Sequence, residues 1–316
     1  MGPVLVTSDL QDVDHKTAIA LGNFDGLHLG HQAVIGALAQ APSHLQRALV
    51  TFTPHPQAFF QGITRPLLTP LAEKVPILAG LGIEQLIRIP FTHALAQLSP
   101  EAFVQSILVN QLQTEFIAVG FNFGFGAKRA GTAADLQNLA WEFGIPVVIV
   151  EPQRFGPDRI SSSAIRQALG EGHISLAQKL LGRPYRLQGT VIQGQQLGRS
   201  LGFPTANLAL EPEKFLPRQG VYVVTVQGDG WEQPWPGVLN LGNRPTVSGE
   251  HLTAEVHLLD WAGDLYGQVL RTDCYHFLRP ELKFASLTEL RQQISQDCHQ
   301  ARHWLETNLT PTKQTV

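Results

Sequence analysis

The chain has 316 residues, and at roughly 100 to 200 residues per domain this length predicts two globular domains and excludes a lone small binding module. Lys and Arg total 23 against 26 Asp and Glu, a net charge of -3, so no overall field draws the molecule to nucleic acid or an acidic membrane surface, and any phosphate must be held locally. Hydrophobic residues make up 43%, enough for a core in each domain, yet no apolar run approaches the ~20 residues that span a bilayer. The opening residues lack the basic and apolar segments of a secretory signal, and Cys274 and Cys298 fit neither a disulfide framework nor zinc spacing, so a cytoplasmic protein is expected.

Up to residue 183, short apolar runs rich in β-branched residues alternate with segments of helical period. Strands are predicted at 18–21, 48–52, 85–89, 116–119 and 147–150, and helices at 31–40, 71–80, 101–111 and 133–143. Ser99-Pro100 and Thr69-Pro70 each set a cap residue before a first-turn proline. This alternation predicts an α/β domain with a parallel sheet, whose ligands bind beyond the carboxyl ends of its strands. Two short helices follow at 163–169 and 175–181, and the pattern changes at Gly182-Arg183-Pro184-Tyr185, which sets the expected domain boundary at 183/184. Residues 184–316 read as strands at 187–192, 221–226, 237–241, 253–259 and 269–277 separated by Gly and Pro, a small antiparallel β-barrel. A helix at 287–307 closes the domain, opened by a Ser286/Glu289 capping box, with Leu287, Leu290, Ile294, His303 and Trp304 as its expected buried stripe. A polar tail, 310–316, is expected to fray.

Two places carry chemistry. The first strand runs into Gly22-Asn23-Phe24-Asp25-Gly26-Leu27-His28-Leu29-Gly30-His31, where glycines permit close backbone approach and a helix start offers amides and a positive dipole end to phosphate. His28 and His31, three apart, project together from the first turn. Capping or surface histidines and a zinc site are the alternatives, although no carboxylate or Cys follows at ligand spacing. This motif resembles the signature of the nucleotidyltransferase superfamily, which implies that the two histidines contact the α and β phosphates of a nucleotide triphosphate. The superfamily's second element is matched by Ile160-Ser161-Ser162-Ser163-Ala164-Ile165-Arg166, where Ser161, Ser162 and Arg166 suit a leaving pyrophosphate. An ordinary Ser-capped helix with a surface Arg is the alternative.

Phe24-Asp25-Gly26, the Thr53-Pro54-His55-Pro56 loop and Gly120-Phe121-Asn122-Phe123-Gly124-Phe125-Gly126 resemble the prokaryotic FAD synthetase module. Each falls at a strand end, and the Phe and Gly run offers aromatic faces to a flat ring system. Gly22, Phe24, Asp25, Gly30, His55 and Asn122 are the binding residues this resemblance implies. Many relatives carry Asp where this chain has Asn122, so that position receives no proton-transfer role.

In the second half, Gly198-Arg199-Ser200-Leu201-Gly202-Phe203-Pro204-Thr205-Ala206-Asn207 is not a Walker A loop, since the Gly-Lys pair and its spacing are absent. Its Pro-Thr-Ala-Asn turn resembles riboflavin kinase, a likeness that continues through Gly220-Val221-Tyr222, Asn240-Leu241-Gly242-Asn243-Arg244-Pro245-Thr246, Glu255-Val256-His257 and Leu278-Arg279-Pro280-Glu281. The resemblance implies that Thr205 and Asn207 hold Mg2+ and nucleotide phosphates. It further implies that Glu255 takes the proton from the flavin's terminal ribityl hydroxyl, and that Gly198 and Arg279 contribute to binding. Tyr222, Trp231, Trp235 and Trp261 read as core or rim packing and receive no role.

Together the halves resemble the prokaryotic bifunctional riboflavin kinase/FAD synthetase family. ATP, riboflavin and FMN are the implied small-molecule substrates, no nucleic-acid or membrane partner is expected, and the assembly state is left open. A chain retaining only the kinase, or a flavin-binding regulatory protein without turnover, are the rival readings.

Overall fold

The computed structural model describes residues 2–194, 197–246 and 249–309, excluding the side chains of residues 197 and 243–252; the polar tail at 310–316 lies outside the described residues. Contacts divide the chain into two compact units, Met1–Ser162 and Ser163–Val316.

The first unit is built on six strands, β1 (Leu5–Thr7), β2 (Thr17–Leu21), β3 (Gln46–Thr53), β4 (Gln85–Pro90), β5 (Thr114–Gly120) and β6 (Val147–Val150). Their order is β1-β4-β3-β2-β5-β6 and every pairing is parallel. The five expected strands are present. The addition, β1, is a three-residue edge with Leu5 and Val6 exposed, too short to show a period. Alternating residues face two cores: Ile19, Leu21, Val50, Ile87, Ile117 and Val119 one way, and Ala18, Ala20, Leu49, Leu86 and Ala118 the other. Burial on both faces is why these strands read as continuous apolar runs. The chain steps from β2 through β3 to β4, then returns to the other side of β2 with β5, so the switch point lies between the carboxyl ends of β2 and β5.

Helices α1 (Leu29–Gly36), α2 (Pro56–Gln61), α3 (Leu71–Gly80), α4 (Pro100–Phe103) and α5 (Ala133–Trp141) cover these faces. α1 begins two residues earlier than expected and tightens into a 3-10 turn at Ala37–Gln40. α4 continues as a π-helical stretch, Val104–Gln111, where the spacing predicts α-helix. The Ser99 hydroxyl accepts from Ala102 N at 3.1 Å, the expected cap. Thr69 is not a cap. Pro70 occupies that position with no side-chain bond, and the Thr69 amide is drawn instead to Asp25.

The second unit takes up α6 (Ser162–Glu171) after its first residue, and α6 and α7 (Ile174–Leu181) precede β7 (Tyr185–Ile192), β8 (Ala206–Leu210), β9 (Gly220–Gly228), β10 (Trp235–Thr246), β11 (Gly249–Leu258) and β12 (Val269–Arg279). These close a barrel in the order β7-β8-β11-β10-β9-β12, antiparallel throughout. The sixth strand, β8, rises directly out of the Pro-Thr-Ala-Asn turn, whose Pro and Asn masked it as loop. Arg218 N donates to Leu169 O at 2.9 Å, tying α6 to the barrel side.

The closing helix, α8 (Leu287–Asn308), packs Ala301 and Leu305 against Val221, Val223 and Val238. Ser286 caps it through Glu289 N, while the Glu289 carboxylate returns to Ala285 N, one residue earlier than a capping box requires. Leu290, Ile294 and Trp304 of the expected stripe are half-buried, Leu287 and His303 are exposed, and Asp297, Ala301 and Leu305 are the most buried positions. The ion pair with Arg279 lets a polar residue, Asp297, sit in that stripe.

Candidate active sites

At the end of β2, Gly22 N donates to Val50 O at 3.1 Å, holding the glycine turn to β3. The turn then passes through left-handed Gly26 (φ 91) and Leu27 (φ 44), the latter fully buried, a strained backbone of the kind stored at functional sites. Phe24 is buried and meets the His31 ring edge-on at 5.2 Å. His28 and His31 stack with centroids 3.6 Å apart and planes 15° from parallel, so the two imidazoles do converge as the spacing predicts.

His28 is also the N-cap of α1, its Nδ1 accepting from His31 N at 3.2 Å while its carbonyl accepts from Gln32 N at 2.9 Å. The Gln32 bond is the first i to i−4 bond of the helix, and the cap itself engages the His31 amide. The bond also fixes the tautomer: with the Nδ1 lone pair occupied, neutral His28 carries its hydrogen on Nε2. Gly30 sits against this ring, and a Cβ there would lie 3.1 Å from His28 Cε1.

Asp25 is a hub. Its Oδ1 accepts from Thr69 N at 3.2 Å, and its carbonyl accepts from Ser162 Oγ at 2.8 Å, joining the glycine turn to the serine motif. Burial pushes the Lys74 amine on α3 down, opposed by the charge of Asp25 and reinforced by Arg88. Ser161 and Ser162 are half-buried at the start of α6, with Arg166 one turn on and its guanidinium 5.7 Å from the Phe215 ring. His55 follows the cis Thr53-Pro54 peptide and caps α2, its Nδ1 accepting from Gln57 N at 3.1 Å.

The aromatic run after β5 divides. Phe125 is buried and packs toward Phe103, so it belongs to the core, and half-buried Phe123 stacks on it. Phe121 is 39% exposed with the Arg159 guanidinium at 4.7 Å, and Asn122 is exposed beside it. Phe121 is the most exposed ring of this run.

In the barrel, β8 and β11 pair through Asn207 with Glu255 and Ala206 with Val256. The Thr205 hydroxyl donates to Glu255 Oε2 at 3.2 Å, so the expected cluster of Thr205, Asn207 and Glu255 assembles across two strands 48 positions apart at that register. Two glycines make room for it. A Cβ at Gly194 would stand 2.2 Å from Asn207 Nδ2, and one at Gly198 would meet Phe203 O at 2.4 Å. His257, next but one to Glu255, contacts Pro204 O through Nδ1 at 2.8 Å and meets Phe203 edge-on at 5.5 Å. No role was assigned to His257 from sequence; its two-residue offset from Glu255 on a strand was the available signal.

Arg279 is bound into the fold. Its Nε and Nη2 donate to Asp297 at 2.9 and 2.7 Å, and its Nη1 to Pro280 O at 3.0 Å. The aromatic residues left unassigned pack as expected: Tyr222 is fully buried, and Trp231 stacks on Trp261 at 4.5 Å, which meets Trp235 edge-on. No group of three or more His, Cys, Asp and Glu side chains forms a metal cluster among the described residues.

Two family models match the chain, FAD synthetase over residues 10–164 and riboflavin kinase over residues 181–305. The bifunctional riboflavin kinase/FMN adenylyltransferase of Escherichia coli strain K12 is 41% identical over 289 residues, spanning 90% of this chain and 92% of that protein. The protein of the same description from Pseudomonas fluorescens is 41% identical over 295 residues, covering 92% and 93%. A solved structure described as a macrolide-efflux protein from Streptococcus pneumoniae matches with a TM-score of 0.86 at 30% identity, over 96% of this chain and all of its own. No helix among the described residues here is long and apolar enough to cross a membrane.

Proposed function

The chain belongs to the bifunctional riboflavin kinase/FMN adenylyltransferase family, and from that premise we propose which residues carry each of its two reactions. It phosphorylates riboflavin to FMN and adenylylates FMN to FAD, both with ATP. We assign adenylylation to residues 1–183 and phosphorylation to residues 184–316. What supports the residue assignments is that each unit holds its own cluster of phosphate-directed groups: the stacked His28 and His31 at the β2 switch point, and Thr205, Asn207 and Glu255 on the barrel.

In the first domain FMN attacks the α-phosphorus of ATP and pyrophosphate departs. With Nδ1 engaged in the α1 cap, the hydrogen of neutral His28 is on Nε2, and His31 lies stacked beside it; in a direct displacement at phosphorus the pair is assigned charge stabilisation and not nucleophilic attack. Gly30 admits the His28 ring, Gly22, Phe24 and Asp25 hold the turn, and His55 and Asn122 line the strand ends for substrate. The leaving pyrophosphate is assigned to the serine motif through Ser161, Ser162 and Arg166, the last two being four apart on α6.

In the barrel, Glu255 accepts the proton of the terminal ribityl hydroxyl as the γ-phosphoryl arrives. A carboxylate has about four lone-pair sites, so the bond from Thr205 leaves capacity for a second donor. Mg2+ fits the donors present. Thr205 gives its proton to Glu255 and so turns oxygen lone pairs outward, and Asn207 adds an amide oxygen, a hard-oxygen set for an ion that keeps several waters. When bound, that ion neutralises charge on the phosphate oxygens. Gly198 keeps the turn compact, and the contribution of Arg279 to ligand binding rests on the N–H groups that its pairing with Asp297 leaves. Two free cysteines, Cys274 and Cys298, fit a reducing cytoplasm.

Glu255→Gln is expected to cut FMN formation by ~10² to 10⁴ while supplied FMN is still adenylylated. His28→Ala is expected to raise the adenylylation barrier by about 2.7 to 4 kcal/mol and spare phosphorylation. Chromatographic assay of FMN and FAD reads both. If either substitution silences both reactions in a folded protein, the two-site assignment fails.

A further inference from the structure

We propose that His257 is a positioning residue of the kinase site: its Nδ1–H clamps the carbonyl of Pro204 and thereby fixes the turn that presents Thr205 and Asn207. The proposal rests on the assignment of Thr205, Asn207 and Glu255 to phosphorylation.

The ladder between β8 and β11 is two residues long, Asn207 with Glu255 and Ala206 with Val256. Continued by one step, its register sets His257 opposite Thr205. There the ladder stops, since Pro204 has no N–H to extend it. On the β11 side the turn is thus held by a two-residue ladder, while on its other side Asn207 pairs with Ile192 of β7 and Phe203 N donates to Gly198 O at 2.8 Å. Side chains on β11 supply what the backbone does not. Glu255 accepts from the Thr205 hydroxyl, and His257, on the same face two residues on, reaches Pro204 O at 2.8 Å and packs against the edge of Phe203 at 5.5 Å. Three consecutive turn residues, Phe203, Pro204 and Thr205, are gripped from one strand.

A carbonyl only accepts, so Nδ1 carries the hydrogen. A residue that only holds the turn leaves proton transfer to Glu255, so the pH profile of phosphorylation should not change with the side chain at position 257. Asn places an amide N–H close to the position of Nδ1–H, whereas Phe keeps the ring and loses the donor.

The test compares His257→Phe and His257→Asn in the full chain, with Glu255→Gln in parallel, assaying riboflavin phosphorylation against ATP concentration at fixed Mg2+, and FMN adenylylation as the control on the other domain. His257→Phe is expected to raise the KM for ATP roughly tenfold, as a displaced turn would. His257→Asn is expected to stay within about threefold of wild type with an unchanged pH profile. A KM change under about threefold for the Phe variant overturns the clamp, as does an Asn variant that loses more than that or shifts its pH profile. Should the Phe variant fail to give the wild-type thermal transition, the Asn variant decides alone by the same threshold. If Glu255→Gln leaves phosphorylation intact, the underlying site assignment has failed; if it abolishes phosphorylation while His257→Phe is silent, only the clamp has.

Discussion

A single added methyl group separates stability from catalysis at Gly30. Its Cβ would stand 3.1 and 3.2 Å from the Cε1 and Nδ1 of His28, so the imidazole must move by a few tenths of an ångström or more. Ala is better than Gly in a helix by about 1 kcal/mol. Gly30→Ala is therefore expected to keep or raise the thermal midpoint while FMN adenylylation falls roughly tenfold, since small misplacements of a charge-stabilising donor are costly. In the barrel, Gly194→Ala drives a Cβ to within 2.2 Å of Asn207 Nδ2 and is expected to raise the kinase KM for ATP with adenylylation unchanged. The histidines divide by the same logic of partners. Amides donate to Nδ1 of His28 and His55, which puts the hydrogen of each neutral ring on Nε2, whereas a carbonyl holds Nδ1 of His257 in the opposite tautomer. Burial pushes the Cys298 thiol up to about 11, with the Asp297 charge adding, and Cys274 is fully buried. Iodoacetamide at neutral pH is expected to label neither in the native protein and both after denaturation, read by mass spectrometry.

Where elements meet, an ion pair does what apolar burial does elsewhere. β12 ends in Arg279, and α8 offers Asp297, 2% exposed, to receive its guanidinium through two nitrogens. Removing one partner of such a pair strands the other charge in a poorly solvated place. Asp297→Ala is expected to destabilise the second unit by ~3 to 5 kcal/mol in urea unfolding, and Asp297→Asn by less because it keeps an acceptor. This pair puts a charged residue into the inward face of α8: Asp297 is buried with Ala301 and Leu305, alongside half-buried Leu290, Ile294 and Trp304, whereas Leu287 and His303, also expected inward, are exposed. α2 escaped sequence reading for a related reason. Six residues between prolines carry too little period to announce a helix, and only the His55 cap bond reveals that the loop ends in one.

Over the whole molecule the two proposed clusters lie on separate units and the family's two reactions are consecutive, so riboflavin with ATP should yield FMN first and FAD after a lag, with FMN as the end product of His28→Ala. The parallel sheet, the antiparallel barrel and the motifs at strand ends are legible from order and period alone, because burial on both faces writes continuous apolar runs and turns write Gly and Pro. Local spacing also specifies that His28 and His31 share a helical turn. Tertiary pairing alone decides that Glu255 reaches Thr205 across the barrel, that Phe125 is core while Phe121 is exposed, that Arg279 pairs with Asp297, and that His257 touches Pro204. Those facts depend on strand register and on which hydrogen-bond partner reaches each polar atom, and neither is encoded in any short window of chain.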